Sequence, residues 1–240
     1  GGWVDGDKIR FRMGFPEKIG GWEKFSTATY QGTARALHNW IALDGSDYLG
    51  LGTHLKYYIE EGGAFFDITP VRATTTNGIV FAATNGSTTI TATDSSHLAS
   101  INDFVTIAGA ASLGGTVTAA VLNAEHQITG TSTANTFTFE VSAAANASDS
   151  GNGGAGGDAV YQVSVGLDTQ IGGTGWGACP WSSVSGGVGW GEGSDLTTVG
   201  ALRIWSHDNF GEDLLINPRN GAVYYWDKSS GLTARAVEIS

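Results

Sequence analysis

Apolar and polar positions alternate with a period of two along much of the chain, and twice they do so in the same order. Residues 36 to 67 read ALHNWIALDGSDYLGLGTHLKYYIEEGGAFFD, and residues 201 to 231 read ALRIWSHDNFGEDLLINPRNGAVYYWDKSSG. Ala36, Leu37 and Trp40 match Ala201, Leu202 and Trp205. Asp47, Leu49, Tyr57 and Tyr58 match Asp213, Leu215, Tyr224 and Tyr225 with a slip of one or two residues. Turn-forming dipeptides separate the alternating runs, so each copy predicts strand, turn, strand, turn, strand. A repeated three- or four-stranded unit of about 40 residues is the pattern of a β-propeller blade. Two unrelated meanders of one sandwich are the other reading.

Ahead of the first copy, Lys8, Arg10 and Arg12 alternate with Ile9, Phe11 and Met13. This predicts a strand with one basic and one apolar face, ended by Gly14-Phe15-Pro16. Its basic face suits nucleic acid or an acidic neighbour, or protects a sheet edge by charge. Between the copies the composition changes. Residues 72–165 are rich in Ala, Thr, Ser and Gly and contain no Trp. STTITAT, DFVTIAG, EHQITGT, NTFTFEV and Val160–Val163 predict short strands, and ASDSGNGGAGGDA predicts a flexible loop. Four or five such strands suit a small barrel. The expected fold is all-β: a partial propeller-like body formed by residues 1–71 and 166–240, with a small β-barrel inserted over 72–165. From Gly172 to Gly193, Trp176, Trp181 and Trp190 stand among glycines. Such indoles pack across bare backbone or lie open as a binding face.

Composition narrows the class. The chain has 240 residues with 37 Gly and only 4 Pro, which points to many tight turns. No apolar run approaches the ~18 residues of a membrane-spanning helix. The single Cys179 excludes an intrachain disulfide. The chain begins Gly1-Gly2-Trp3 and ends on ARAVEIS, a strand with no closing turn, so both ends are expected to be cut from a longer protein. Net charge is −11, and no Lys or Arg occurs from Ala73 to Leu202. That span holds Asp94, Asp103, Glu125, Glu140, Asp149, Asp158, Asp168, Glu192 and Asp195. An acidic surface of this kind repels a phosphate backbone and suits a wall past which DNA slides without adhering.

Catalytic constellations are scarce. There is no G-x-S-x-G, H-E-x-x-H, P-loop or paired Cys. His38, His54, His97, His126 and His207 are scattered and read as surface or turn residues. Asp5-Gly6-Asp7 opens like a calcium loop without completing the spacing. Asp44 with Asp47, and Glu212 with Asp213, are the nearest candidates for a glycosidase carboxylate pair, although Asp in such turns commonly serves turn geometry. Asn85-Gly86-Ser87 and Asn146-Ala147-Ser148 are sequons that matter only in a eukaryotic secretory setting. No catalytic, cofactor-binding or metal residue is assigned.

GGWVDGDKIRFRMGFPEKIGGWEKF, GTARALHNWIALDGSDYLGLGTHLKYYI and FFDITPVR resemble the amino-terminal part of a family of tailed-bacteriophage structural proteins. That family is related in style to the propeller-bearing tail nozzle (tail tubular protein B) proteins of short-tailed phages. GWGACPW and GWGEG resemble its Gly-Trp segment, and ALRIWSHDNFGEDLLINPRNGAVYYWD a later blade. STTITATDSSHLASINDFVTIAGA and LNAEHQITGTSTANTFTFEV resemble the small barrel called the first catalytic cysteine half-domain in ubiquitin-activating enzymes, which phage virion proteins also carry. Members of that module usually have His-Gly where this chain has His97-Leu98. The resemblance implies a non-catalytic virion component in a phage tail. It implies a homo-oligomeric, hexameric ring around the DNA exit channel, with adaptor, nozzle or fibre subunits as partners and genomic DNA passing without specific binding. The rival expectation is a carbohydrate-binding propeller, lectin-like or receptor-binding, that stacks sugars on Trp176, Trp181 or Trp190.

Overall fold

The computed structural model describes residues 7–21, 24, 26–167 and 202–239. It opens with a hairpin of β1 (Ile9–Arg12) and β2 (Phe15–Lys18), joined through Met13 and Gly14, both at positive φ. Pro16 therefore sits within the returning strand, opposite Phe11, instead of ending the hairpin as expected. A two-stranded ribbon has two free edges, where a missing N–H is tolerated. The expected apolar face is not covered, because Phe11 and Met13 are exposed.

Next come β3 (Ala34–Ile41), β4 (Asp47–Thr53), β5 (Tyr57–Glu61) and β6 (Ala64–Asp67), one antiparallel sheet in sequential order. A second sheet of the same order is built near the other end of the chain. In between come β7 (Val71–Ala83), β8 (Thr89–Thr93), β9 (Phe104–Ala108), β10 (Glu125–Thr133), β11 (Thr136–Glu140) and β12 (Asp149–Gln162). These six strands close into a barrel in the order β10-β11-β8-β7-β12-β9. A single helical turn, α1 (Ala119–Leu122), plugs one end with Leu122. The barrel is filled by alternate, inward residues of all six strands, among them Ile79, Phe81, Ile90, Val105, Ile107, Ile128, Phe137, Phe139 and Tyr161. The second sheet comprises β13 (Trp205–Phe210), β14 (Asp213–Pro218), β15 (Tyr224–Trp226) and β16 (Val237–Glu238).

The Gly-rich segment expected as a loop is part of β12. It pairs with β7 on one side and β9 on the other, with several register shifts along β7. Glycine is needed because the backbones approach closely. A Cβ at Gly156 would lie 2.3 Å from the carbonyl oxygen of Asn77, and Gly156 has a positive φ. A Cβ at Gly157 would press on Ile79 and on the Ala108 carbonyl. Gly156 and Gly157 thus mark close approach at irregular points of a strand pairing.

The two four-stranded sheets share one core. Trp40, Tyr48, Tyr57 and Ile59 of the first meet Trp205, Leu214, Ile216, Tyr224 and Trp226 of the second. Trp40 and Tyr48 stand edge-on to Trp226, and Tyr57 edge-on to Trp205. Each large apolar side chain buried in this way contributes ~1.5–3 kcal/mol. The matched tryptophans of the repeat both reach across. Trp40 donates its indole N–H to the Glu212 carbonyl at 3.0 Å, and Trp205 donates to the Thr53 carbonyl at 2.7 Å.

Candidate functional site

Three places gather the chemistry. The first is the end of the body where the β3–β4 and β13–β14 turns lie side by side. The carboxylates paired by sequence proximity are re-paired there across the two sheets. Lys228, in the short 3-10 turn after β15, donates to Asp44 Oδ2 at 2.8 Å and to Glu212 Oε1 at 2.7 Å. The Lys228 hydrogen bond, helped by the Ser46 N–H, holds the Asp44 carboxyl down to about 2. Lys228 and the Leu43 N–H likewise lower Glu212. Asp213 is engaged separately, by the Tyr225 hydroxyl and the Lys228 backbone N–H. Asp47 is exposed at the start of β4. A glycosidase acid needs a carboxyl held protonated. Asp44 and Glu212 are held ionised, as an ion-pair staple between turns.

Beside this staple lies a feature the sequence pattern did not reveal. Ile41, Leu43, Phe210, Gly211, Glu212 and Asp213 line a shallow groove of about 450 Å³. Leu43 is 93% exposed, and Ile41 and Phe210 are also open to solvent. Ile41 stands directly opposite Asp47, and Phe210 directly opposite Asp213, so each apolar residue has an acid as its cross-strand neighbour. The signal was Leu43 within Ala-Leu-Asp-Gly and Phe210 before Gly211: large apolar residues at turns, where packing on the core is not available.

The second place joins β3 and β13, the first strands of the two sheets. His38 and His207, far apart in sequence, have ring centroids 5.1 Å apart. His207 Nδ1 lies 2.7 Å from the Tyr57 hydroxyl, and His38 Nε2 lies 3.3 Å from Asn209 Oδ1. Burial, then the neighbouring His38, lowers the His207 pKa. The remaining histidines stay apart. His54 Nδ1 accepts from the Thr33 N–H. His126 stacks on Phe139 and is lowered by burial. His97, expected at the surface or in a turn, is buried against Phe137 in the barrel. The following Leu98 has φ 52°, the left-handed conformation that glycine adopts freely.

The third place joins barrel to body. Lys56, 2% exposed, donates to both oxygens of Glu125 at 2.6 Å and to Asp67 Oδ2 at 2.8 Å. Gln162 donates to Glu125, and Arg235 pairs with Asp67 at 2.6 Å. Burial opposes ionisation of Asp67, but Lys56 and Arg235 outweigh it and lower its pKa. Several acids of the cation-free span are thus structural. Asp94 and Asp103 are buried, the former accepting from Tyr161 and Thr75, the latter from the Val165 and Ser100 N–H groups. The acidic surface is correspondingly thinner than the composition implied.

No family model and no curated protein matches the chain. Among solved structures, the chain is similar to one described as the phage phi92 endosialidase, at TM-score 0.32 and 12% identity. The match covers 86% of this chain and 30% of that chain. At that level of likeness neither a shared fold nor a shared activity follows.

Trp176, Trp181, Trp190, Cys179 and Asp5 lie outside the described residues. Among the described residues, no group of three or more His, Cys, Asp or Glu is placed to hold a metal ion, and no helix is long and apolar enough to cross a membrane. The two sequons sit on adjoining barrel turns, where Asn85 N–H donates to Ser148 and Asn146 accepts from Thr116.

Proposed function

We propose that the chain is a structural component of a phage tail, with its two four-stranded sheets serving as neighbouring blades around the DNA exit path and its barrel as an accessory domain inserted over residues 72–165. The observation that carries this reading is the ordered set of segments that resemble those of the phage structural family, distributed over both copies of the repeat. Two structural features support it. Each copy forms a sequentially ordered antiparallel sheet, as a blade does. Their first strands, β3 and β13, lie next to each other, joined through His38 and His207.

The role is non-catalytic. Its chemistry is packing and ion-pair stapling of one sheet to the next and of the barrel to the body. A closed ring, hexameric by the family expectation, would bring further copies around the channel, with adaptor, nozzle or fibre subunits as neighbours. An acidic chain in that position lets DNA pass without specific binding. Labelling purified virions with an antibody to the barrel tests the assignment. Label confined to the tail supports it. Label on the capsid shell, or none, overturns it.

A further inference from the structure

The β1–β2 hairpin is the cationic part of an acidic protein. Lys8, Arg10, Arg12 and Lys18 fall within it, one third of the 12 Lys and Arg residues of the chain. Arg10 is paired with Glu17 along the hairpin at 3.0 Å. Lys8, Arg12 and Lys18 have no carboxylate partner among the described residues. The hairpin also presents apolar side chains to solvent: Met13 is 92% and Phe15 76% exposed. Phe15 stands directly opposite Arg12, so aromatic and guanidinium share one face of the tip.

The groove beside the β3–β4 and β13–β14 turns has the complementary chemistry. Ile41, Phe210 and Asp213 line it, and Asp47 stands beside Ile41 as its cross-strand neighbour. Asp208 lies two residues before Phe210, on the same side of β13, and is exposed. The only cation built into this end, among the described residues, is Lys228, and Asp44 and Glu212 already occupy it. In one chain, hairpin tip and groove are both open to solvent, so neither covers the other.

We propose that the β1–β2 hairpin is a docking arm, and that it seats on the groove between Ile41, Leu43 and Phe210 of a second copy of this chain. Met13 and Phe15 cover the apolar floor, and Arg12 with Lys8 or Lys18 meets Asp47 and Asp208. Charge complementarity selects the occupant: an apolar and cationic projection on one face, and an apolar and anionic receiver on another, of the same chain. A contact between two different patches is heterologous, and repeated around an axis it closes a ring. Only this last step rests on the tail-ring reading. The contact itself does not.

Sedimentation velocity of the 240-residue chain over a concentration series tests it. The wild-type chain is expected to self-associate, more weakly at high salt. K8E/R12E is expected to weaken association about a hundredfold, and D47R/D208R to do the same. Combining all four substitutions is expected to restore association, a result that misfolding cannot produce. A wild-type chain that stays monomeric at every concentration overturns the proposal, and so does K8E/R12E that associates like wild type. Duplex DNA is included as a second titrant. Monomeric chain that binds DNA through Lys8 and Arg12 would make the hairpin a nucleic-acid contact instead. Virion labelling that succeeds while the chain fails to associate would remove the arm and leave the tail assignment standing.

Discussion

The indole N–H of Trp205 donates to the backbone carbonyl of Thr53 at 2.7 Å, across 152 positions of sequence. This bond, with the Trp40 bond to Glu212 running in the opposite direction, fixes how the two sheets face each other. The approach is close enough that a Cβ at Gly52 would lie 2.6 Å from the Trp205 ring. Trp205→Phe removes the donor and leaves a buried carbonyl unpaired, at a cost of ~1–3 kcal/mol. Gly52→Ala forces the indole aside at a similar cost of ~1–3 kcal/mol. Both are expected to lower the urea midpoint. An unchanged midpoint in both variants would show that the sheets do not meet through this pair.

Lys56 holds barrel and body together through Asp67 and Glu125. Lys56→Met leaves the partly buried Glu125 without a cation and Asp67 with Arg235 alone, and is expected to destabilise by up to ~3–5 kcal/mol. Adding Glu125→Gln to Lys56→Met should recover part of that loss, because one orphaned charge is removed. The Asp67 pKa is lowered in the folded protein, so its contribution is fully present above the unfolded value of about 3.9 and fades as pH falls through the folded value. Acid titration of wild type against Asp67→Asn reads this directly. The gap between their stabilities should narrow below pH ~4.

His207 gives a second, higher pH window. Its pKa is lowered by burial and by His38, so below about pH 6.5 the unfolded chain binds a proton that the folded chain does not. Stability from this site is full above that pH and declines as pH drops toward the lowered value. Melting temperatures measured between neutral and mildly acidic pH should fall for wild type and fall less for His207→Gln. Parallel curves would show that the His38–His207 contact is not a factor.

Leu98 occupies a left-handed backbone position, and it is exposed. Holding a non-glycine residue there costs about 1–2 kcal/mol, partly offset by the extra chain entropy that glycine loses on folding. Leu98→Gly is therefore expected to raise stability by ~1 kcal/mol. A loss of stability would mean that the Leu98 side chain makes a contact worth more than the strain.

The two ends of the barrel segment lie side by side. Val163 N–H donates to the Pro70 carbonyl at 3.0 Å, and Val71 pairs with Gln162, so entry and exit are adjacent. Deleting residues 73–164 and joining the ends through a short Gly-Ser link should leave a β-rich folded body, weakened by loss of the Lys56–Glu125 pair. A body that is insoluble or unfolded by circular dichroism would make the barrel part of one shared core.

Period-two alternation and repeated aromatics made the two sheets readable, because Trp40 with Trp205, and Tyr57 with Tyr224, must point into one core. Strand β12 was not readable. Its glycines carry no hydrophobic alternation, and only the closeness of Asn77 and Ala108 explains why side chains are excluded. The carboxylate partners were hidden for a different reason. Asp44 and Glu212 meet through a lysine more than a dozen residues beyond the nearer of them, and spacing along the chain carries no record of turns that become neighbours only when two sheets pack. His38 and His207 were separated by the same effect.

The most direct test of the tail assignment is a cryo-electron-microscopy reconstruction of the virion that carries this chain. The expected result is density for paired four-stranded sheets, with the six-stranded barrel attached, repeated in a closed ring around the tail axis. A single off-axis copy, or no density for the chain in the tail, would contradict it.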